Sequence, residues 1–531
     1  MKDKRKLKLK KFYLHPVSAF MILTVGLIIL SAILSLFQAQ ATYNVVNANT
    51  KELEPTLVTI ENMLSLDGLK FLISNASKNF LSFGPLGTLL ISLIGLTIGE
   101  GTGFFETITK RHISKIPTSL FTFLVILLAT ISSLINEVGY AILIPLVGLI
   151  YFINNRNPIL GIITAFCGVS FGYGVSVFVG STEISLINYT QTAARLVDES
   201  AHIALTSNLI FIIVASIILS LVGTIVIEKI IAPKIGKYKK DDEFAKTEQY
   251  STILAEEQEQ IIIEKDKYEK RGLRAALIVS IIVLLVFIYS LIPNLPGSGM
   301  LLDMKEKAYV YQLFGENAYF QDGFTFLVSL VFILSGIAYG FASKSMKSYK
   351  QLIDNAGKKF SQAGPIFIMI FVASQYIVIF RKSNIGLVVT SWLASLLKSM
   401  NLTGIPLILI ALLFIAISNF LLTSPASKWM IFSPVIVPMF MQSNISPQFA
   451  QIVMRAGDSM TKGFTPLLAS YIIFIGYLNI YNLKKEKPIT IRKSFQMITP
   501  YFLIISATWI LLIIGWYLIG LPIGPGVGPT L

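Results

Sequence analysis

Residues Arg455 to Gly463 read RAGDSMTKG, and they decide the fold. An arginine, an aspartate and a lysine stand among a serine, a threonine and two glycines, with long apolar stretches before and after. A soluble protein would place such a segment in a surface loop. This chain leaves little room for that reading. Of its 531 residues 54% are hydrophobic and 14% charged, against about 25% charged in ordinary globular proteins. Apolar runs recur from end to end, among them 17–37, 206–227, 275–292 and 501–521. Each is close to the roughly 20 residues that a helix needs to cross a bilayer. Repeated short alternating strands, the signature of a membrane barrel, are absent from the pattern. The polar stretch therefore lies at membrane depth, where a charge costs at least about 2.5 kcal/mol.

The net charge of +15 is gathered into clusters: MKDKRKLKLKK at the start, 232–274, KSMKSYK with Lys358 and Lys359, and NLKKEKPITIRK. Basic clusters beside apolar spans mark cytoplasmic loops, so no nucleic-acid partner is expected. Segments 38–80 and 294–321 are poorer in Lys and Arg and are assigned outward. Cys167 is the only cysteine, which excludes an intrachain disulfide and suggests no thiolate metal site. His15, His112 and His202 lie far apart and read as interfacial residues. No Walker A, zinc-ligand spacing or nucleotide-binding glycine motif occurs. No cofactor or metal is expected, and energy for any active transport comes from an H⁺ or Na⁺ gradient.

The charge pattern orders the spans. It predicts an all-α polytopic membrane protein with about nine transmembrane helices, two re-entrant helical hairpins and an inverted structural repeat. Residues 1–227 hold span 1, an outer segment with a short helix around 53–75, spans 2–4 and the first hairpin. Residues 228–274 form a cytoplasmic linker, and 275–531 hold spans 5–9 and the second hairpin. The first span follows seven basic residues in the first eleven and reads as retained rather than as a cleaved signal. The hairpins are 117–153, interrupted at SSLINE, and 405–441, interrupted at TSPASK. The N-terminus is placed in the cytoplasm and the C-terminus outside, in the cell inner (cytoplasmic) membrane.

A fixed offset of 289 residues pairs Pro145 with Pro434, Pro158 with Pro447, Gly168 with Gly457, Ser170 with Ser459 and Gly174 with Gly463. GVSFGYG in the first half thus corresponds to GDSMTKG in the second. The shared small residues are read as helix breaks in two related spans. Inverted repeats with discontinuous helices build transporters, because unpaired backbone N–H and C=O groups near the midplane can hold substrate and ions. The charges are an asymmetric addition, since the first copy has Phe166 and Val169 where the second has Arg455 and Asp458.

Arg455 and Asp458 are three residues apart and share a helix face. A guanidinium can hold a carboxylate in two hydrogen bonds, and the aspartate can orient it, bind a cation or exchange a proton. Ser424 and Trp429 of the second hairpin are candidate substrate contacts. The serine offers its hydroxyl and nearby backbone, and the tryptophan a face on which an aromatic ring can stack. Lys428 either lines the site or snorkels. Glu137, at the first interruption, and Glu183, in VGSTE, join Asp458 and Asn419 as ion-coupling or proton-relay candidates. The bland reading of each carboxylate is a buried ion pair that only holds helices together. The substrate class implied is a small organic anion, and membrane lipid surrounds the chain. A membrane-embedded enzyme acting on a lipid or cell-wall precursor is the alternative from another class. It would need a catalytic group in an interfacial pocket, whereas these acids gather around the repeat.

The residues SPASKWMIFSPVIVPMFMQSNISPQFAQIVMRAGDSMTKGFTP at 424–466 carry a family likeness, as do NEVGYAILIPL at 136–146, SQYIVIFRKSNIG at 374–386 and WYLIGLPIGPG at 516–526. With them the chain resembles the AbgT family of p-aminobenzoyl-glutamate transporters over roughly 12–528. The resemblance implies a homodimer of nine-span protomers with two hairpins, coupled to H⁺ or Na⁺. It implies transport of p-aminobenzoyl-glutamate and, in some members, export of sulfonamide antimetabolites. It places functional residues at Trp429, Pro447, Arg455 and Asp458, and an acidic one at Glu183. The chain departs from the family pattern in having Glu at 137 and 183 where Asp is commoner, Ala426 for a hydroxyl, and Lys462 for an amide.

Overall fold

Prolines and capping residues set where the helices start. Pro16, Pro158, Pro425 and Pro447 each occupy the first turn of a helix, where a missing N–H costs nothing and the ring presets φ. The residue before each supplies a side-chain cap: His15, Asn157, Ser424 and Ser446. The structure, a computed structural model, describes residues 14–46, 53–135, 137–238, 255–315 and 317–531. The basic N-terminal run and the middle of the 228–274 linker lie outside the described residues.

The first half comprises α1 (Pro16–Leu36), a hairpin of β1 (Gln40–Val46) and β2 (Leu53–Thr59), α2 (Leu66–Leu81), α3 (Gly84–Gly101) and α4 (Phe104–Arg111). It continues with α5 (Thr118–Ile131), α6 (Val138–Ile153), α7 (Pro158–Phe171), α8 (Ser181–Ala194) and α9 (Leu209–Val226), which runs on to Ile235 through a π turn. The second half comprises α10 (Ala255–Tyr289), α11 (Phe320–Ala342), α12 (Tyr349–Ser361), α13 (Gly364–Lys382) and α14 (Ile385–Ser399). It ends with α15 (Gly404–Ser418), α16 (Pro425–Gln442), α17 (Pro447–Thr461), α18 (Tyr471–Ile480) and α19 (Ile491–Ile519).

Eight helical segments among the described residues are long and apolar enough to cross a membrane. The spans expected to open at Pro158 and Pro447 are not among them. Helix α7 has 14 residues and α17 has 15, or about 21–23 Å at 1.5 Å per residue, short of a full crossing. The expected spans 82–108 and 361–395 are also divided. Gly103 at φ 82° separates α3 from α4, and Asn384 at φ 59° separates α13 from α14. Both residue types tolerate the left-handed region that ends a helix.

The expected helix around 53–75 is corrected. Residues 53–59 form a strand paired antiparallel with β1, Gln40 opposite Thr59, and the helix spans Leu66–Leu81. Thr42, Val45, Val46, Val58 and Thr59 are β-branched types that suit a pleated edge better than a helix. The hairpin is tied to the second half by Trp392 Nε1, which donates to the Gln40 carbonyl at 3.0 Å, and by Asn384 Nδ2, which donates to Thr59 O at 3.0 Å.

Burial grades the helices. Of the 15 residues of α17 14 are buried, as are 13 of the 14 in α7. These two helices and α18 form the centre, with α5 against α7, α15 against α17, and α6 and α16 alongside. Helices α3, α10 and α11 pack together at the periphery. There α10 exposes Leu277, Ile278, Leu285 and Val286, each at least 58% accessible. An apolar face that broad is the face a membrane protein turns to lipid. Cys167 lies in α7 with no exposed surface.

Candidate functional site

Along α17 and into the turn that follows it, the polar residues Gln451, Arg455, Asp458 and Lys462 follow one another at helical spacing and form a single stripe. All four are at most 4% exposed. Such a stripe survives burial only if each group meets a partner, and the partners come from three other segments.

Asp458 meets the turn between α15 and α16. Lys428 Nζ forms an ion pair with Asp458 Oδ1 and donates to Asn419 Oδ1 at 2.5 Å. Asn419 Nδ2 in turn donates to the Asp458 carbonyl at 2.6 Å. Lys462 Nζ is 4.0 Å from Asp458 Oδ2 and donates to the Thr423 carbonyl at 3.3 Å. One carboxylate thus serves two ammonium groups. Lys428, Asn419, Asp458 and Lys462 have no exposed surface.

Arg455 meets the first half. Its Nε lies 2.9 Å from Glu183 Oε1, but the Nε–H is not aimed at that oxygen and Nε has no hydrogen bond. The contact is an ion pair without an aligned bond. Nη2 donates to the Tyr173 carbonyl at 2.7 Å. The Tyr173 ring carries Lys462 Nζ 3.8 Å from its centroid, a cation–π contact. Nη1 of Arg455, Oδ2 of Asp458 and Nε2 of Gln451 are buried with no hydrogen-bond partner among the described residues.

Trp429 does not present an open face. It has no exposed surface, and Nε1 donates to Thr190 Oγ1 at 2.8 Å, which donates to Gln451 Oε1 at 2.7 Å. A Trp429→Phe change removes that donor from a buried network and is expected to cost about 1–3 kcal/mol, read as a lower melting temperature in detergent. Glu137 joins Ser470, whose hydroxyl donates to Oε2 at 2.5 Å, rather than an ammonium or guanidinium group. Pro447 opens α17 eight residues before Arg455, about 12 Å along the axis. It is placed as a helix start and away from the charges.

Ser424 is the one substrate candidate at an open surface. It caps α16, accepting from Ser427 N, and lines a cavity of about 470 Å³ with Thr423, Ser427, Arg381 and Asn384. The cavity thus joins the α13–α14 junction to the N-terminus of an 18-residue helix. Helix N-termini attract anions, and Arg381 adds a cation.

The glycine reading needs correction at four positions. Gly168 and Ser170 lie inside α7, and Gly457 and Ser459 inside α17. The first interruption starts at Gly172, and Gly174 lies within it. Gly463 lies in the 3-10 turn that follows α17. Gly168 is there for close approach, since a Cβ would come 2.7 Å from Ala129 Cβ. A Cβ on Gly457 would come 2.9 Å from the Leu412 carbonyl and Ile415. Small residues serve this purpose between membrane helices. The remaining contacts are reciprocal. Gly174 meets Ser459, Gly463 meets Ser170, and Tyr173 meets Lys462. Each pairing joins positions that the 289-residue offset exchanges.

Tyr173, Thr190, Gln451, Ser470 and Arg381 were not singled out as site residues from the sequence, and Lys428, left open there between the site and the interface, points into the site. Gln451 had a legible signal in the stripe, and Tyr173 in its correspondence with Lys462.

A polytopic chain that buries paired charges between interrupted helices has the construction of a membrane transport protein. The chain belongs to the AbgT putative transporter family, whose profile matches residues 10–531. It is 27% identical over 517 residues to the p-aminobenzoyl-glutamate transport protein of Escherichia coli (strain K12), covering 97% of this chain and 94% of that one. Two solved structures are similar. The Alcanivorax borkumensis YdaH transporter is 25% identical, with a TM-score of 0.47 and coverage of 96% of this chain and 100% of that one. Neisseria gonorrhoeae MtrF, described as illuminating a class of antimetabolite efflux pumps, is 28% identical, with a TM-score of 0.47 and coverage of 97% and 98%. The family is one of transporters, and the chain is a secondary transporter rather than an enzyme.

Proposed function

We propose that the chain moves p-aminobenzoyl-glutamate or a related aromatic carboxylate across the cytoplasmic membrane, driven by H⁺ or Na⁺. The observation that carries this reading is the single Asp458 carboxylate shared by Lys428 and Lys462, beside a cavity that ends at the N-terminus of α16. With two ammonium groups already at its carboxylate, Asp458 is not free for a coupling cation. An anion entering at Ser424 and Arg381 competes with Asp458 for Lys462, whose ammonium already bonds the neighbouring Thr423 carbonyl. Once an ammonium turns to the substrate, Asp458 is released to take the coupling cation. Substrate and cation then bind with positive cooperativity, and each raises the affinity of the other by the same factor. Glu183 holds Arg455 in place during the exchange.

The helices are arranged in this reading as two copies related by a pseudo-twofold axis in the membrane plane, with α5–α6 and α15–α16 as re-entrant hairpins. Support comes from Tyr173 touching Lys462, its own counterpart, because a residue meets its counterpart only close to the axis. The reciprocal Gly174–Ser459 and Gly463–Ser170 contacts support the same axis. Basic loops after α3, before α10, after α11 and before α19 put those ends in the cytoplasm, with the C-terminus outside.

Purified protein in liposomes, supplied with labelled p-aminobenzoyl-glutamate and imposed H⁺ or Na⁺ gradients, tests the reading. Saturable flux that follows one gradient is expected, and its absence with both ions overturns the substrate assignment. Arg381→Gln is expected to raise KM about tenfold or more, the loss of one charge-assisted contact of 1.5–3 kcal/mol, while the melting temperature stays unchanged.

A further inference from the structure

A second cavity, which shares no lining residue with the charge network, lies between α4 and the start of the apolar part of α10. Its volume is about 890 Å³. Its floor is apolar, formed by Phe104, Ile108, Leu273 and Leu277. Every ionisable group that lines it is basic: Lys110, Arg111, His112, Lys115, Lys270 and Arg274. Arg111 is already engaged by Asp266 and Glu269, Lys270 by Asp266, and Lys110 by Glu106. Those three acids lie outside the lining. His112, Lys115 and Arg274 form no ion pair among the described residues, and all three are exposed.

The cavity is therefore amphipathic in one direction. Its basic rim sits at the level where the charged half of α10 gives way to ALIVSIIVLLVFIY, and Leu277, 60% exposed, continues the floor onto the lipid-facing side of that helix. A soluble anion would use the rim and leave the apolar floor wet. A second protein would need an acidic counter-surface at a bilayer edge. A phospholipid with a negative headgroup satisfies both halves: its phosphate meets Lys115 and Arg274, and an acyl chain lies along Leu273 and Leu277. Basic pockets between membrane helices on the cytoplasmic side bind such headgroups, and guanidinium groups match phosphate oxygens well.

We infer that the α4–α10 cavity is a binding site for one anionic phospholipid, with Lys115 and Arg274 holding the headgroup. Its assignment to the cytoplasmic leaflet rests on the topology proposed above. The site itself depends only on the two helices, so a failed uptake assay leaves it standing and a failed lipid assay leaves the transport reading standing.

Native mass spectrometry of the delipidated, full-length protein tests this. The protein is titrated with phosphatidylglycerol, phosphatidylcholine or glycerol phosphate. One phosphatidylglycerol retained per protomer is expected, with far weaker retention of the other two. The double variant Lys115→Gln, Arg274→Gln is expected to lower the phosphatidylglycerol affinity about tenfold or more, as for loss of two basic groups at an anionic surface. Both side chains are exposed, so the variant keeps its melting temperature, and a control at Lys398, exposed at the end of α14, keeps the affinity. Equal retention of phosphatidylcholine, an unchanged affinity in the double variant, or glycerol phosphate binding as tightly as the lipid would each overturn the inference. So would a double variant whose only change is in the number of protomers per particle, which would make the cavity an interface between copies.

Discussion

Asp458→Asn is expected to abolish gradient-driven uptake and to destabilise the protein by about 3–5 kcal/mol, because it leaves Lys428 charged and unpaired at a site with no exposed surface. Lys428→Met is expected to cost about as much by leaving Asp458 with only Lys462, 4.0 Å from its second oxygen. The double variant separates structure from function. Removing both charges relieves Lys428 but leaves the buried Lys462 without its carboxylate, so the melting temperature should return only part of the way to the parent value. Uptake should not return, since neither the carboxylate proposed to take the cation nor its ammonium partner remains. Thermal unfolding and proteoliposome flux on the same four proteins measure both terms. Full recovery of flux in the double variant would reduce the pair to a packing device.

The second large effect is expected at Gly174. A Cβ there would lie 2.4 Å from Ser459 Oγ and 2.6 Å from the Arg455 carbonyl. The hydroxyl could rotate, but it bonds that same carbonyl at 2.8 Å, and the carbonyl belongs to the backbone of α17. Gly174→Ala therefore displaces α17 at the residue whose guanidinium is held by Glu183 and by the Tyr173 carbonyl next door. Overpacking of this kind costs about 1–3 kcal/mol. Here it also shifts a charged group out of line, and loss of nearly all uptake is expected. Gly515 supplies the contrast. It lies within α19 with nothing within 4 Å of a built Cβ. Gly515→Ala should leave uptake intact and raise stability by up to about 1 kcal/mol, the helix preference of alanine over glycine.

These contrasts show what the sequence could and could not reveal. Composition and run length are local properties, so the membrane class and most span positions were readable. The Arg455–Asp458 face was also readable, because helical spacing is fixed by the backbone. The partner of Arg455 was not. Glu183 reaches it from a helix in the other half of the chain, and no local pattern encodes that meeting. Lys428 was ambiguous for a related reason: whether a lysine near a helix start points to water or inward depends on the turn that carries it. The glycines misled in a third way. In soluble chains glycine often ends helices, whereas Gly168 and Gly457 let neighbouring membrane helices approach, so the breaks fall a turn later.

The lone cysteine has a use beyond packing. The Cys167 thiol lies wholly inside α7, and maleimides added to intact vesicles should leave the native chain unlabelled. The wild-type sequence is then a silent background for site-directed labelling. A cysteine introduced at exposed Lys485 and another at exposed Leu295 would each be the sole reactive handle in its protein. Comparing permeant with impermeant reagents at the two would read directly which side of the bilayer each loop occupies.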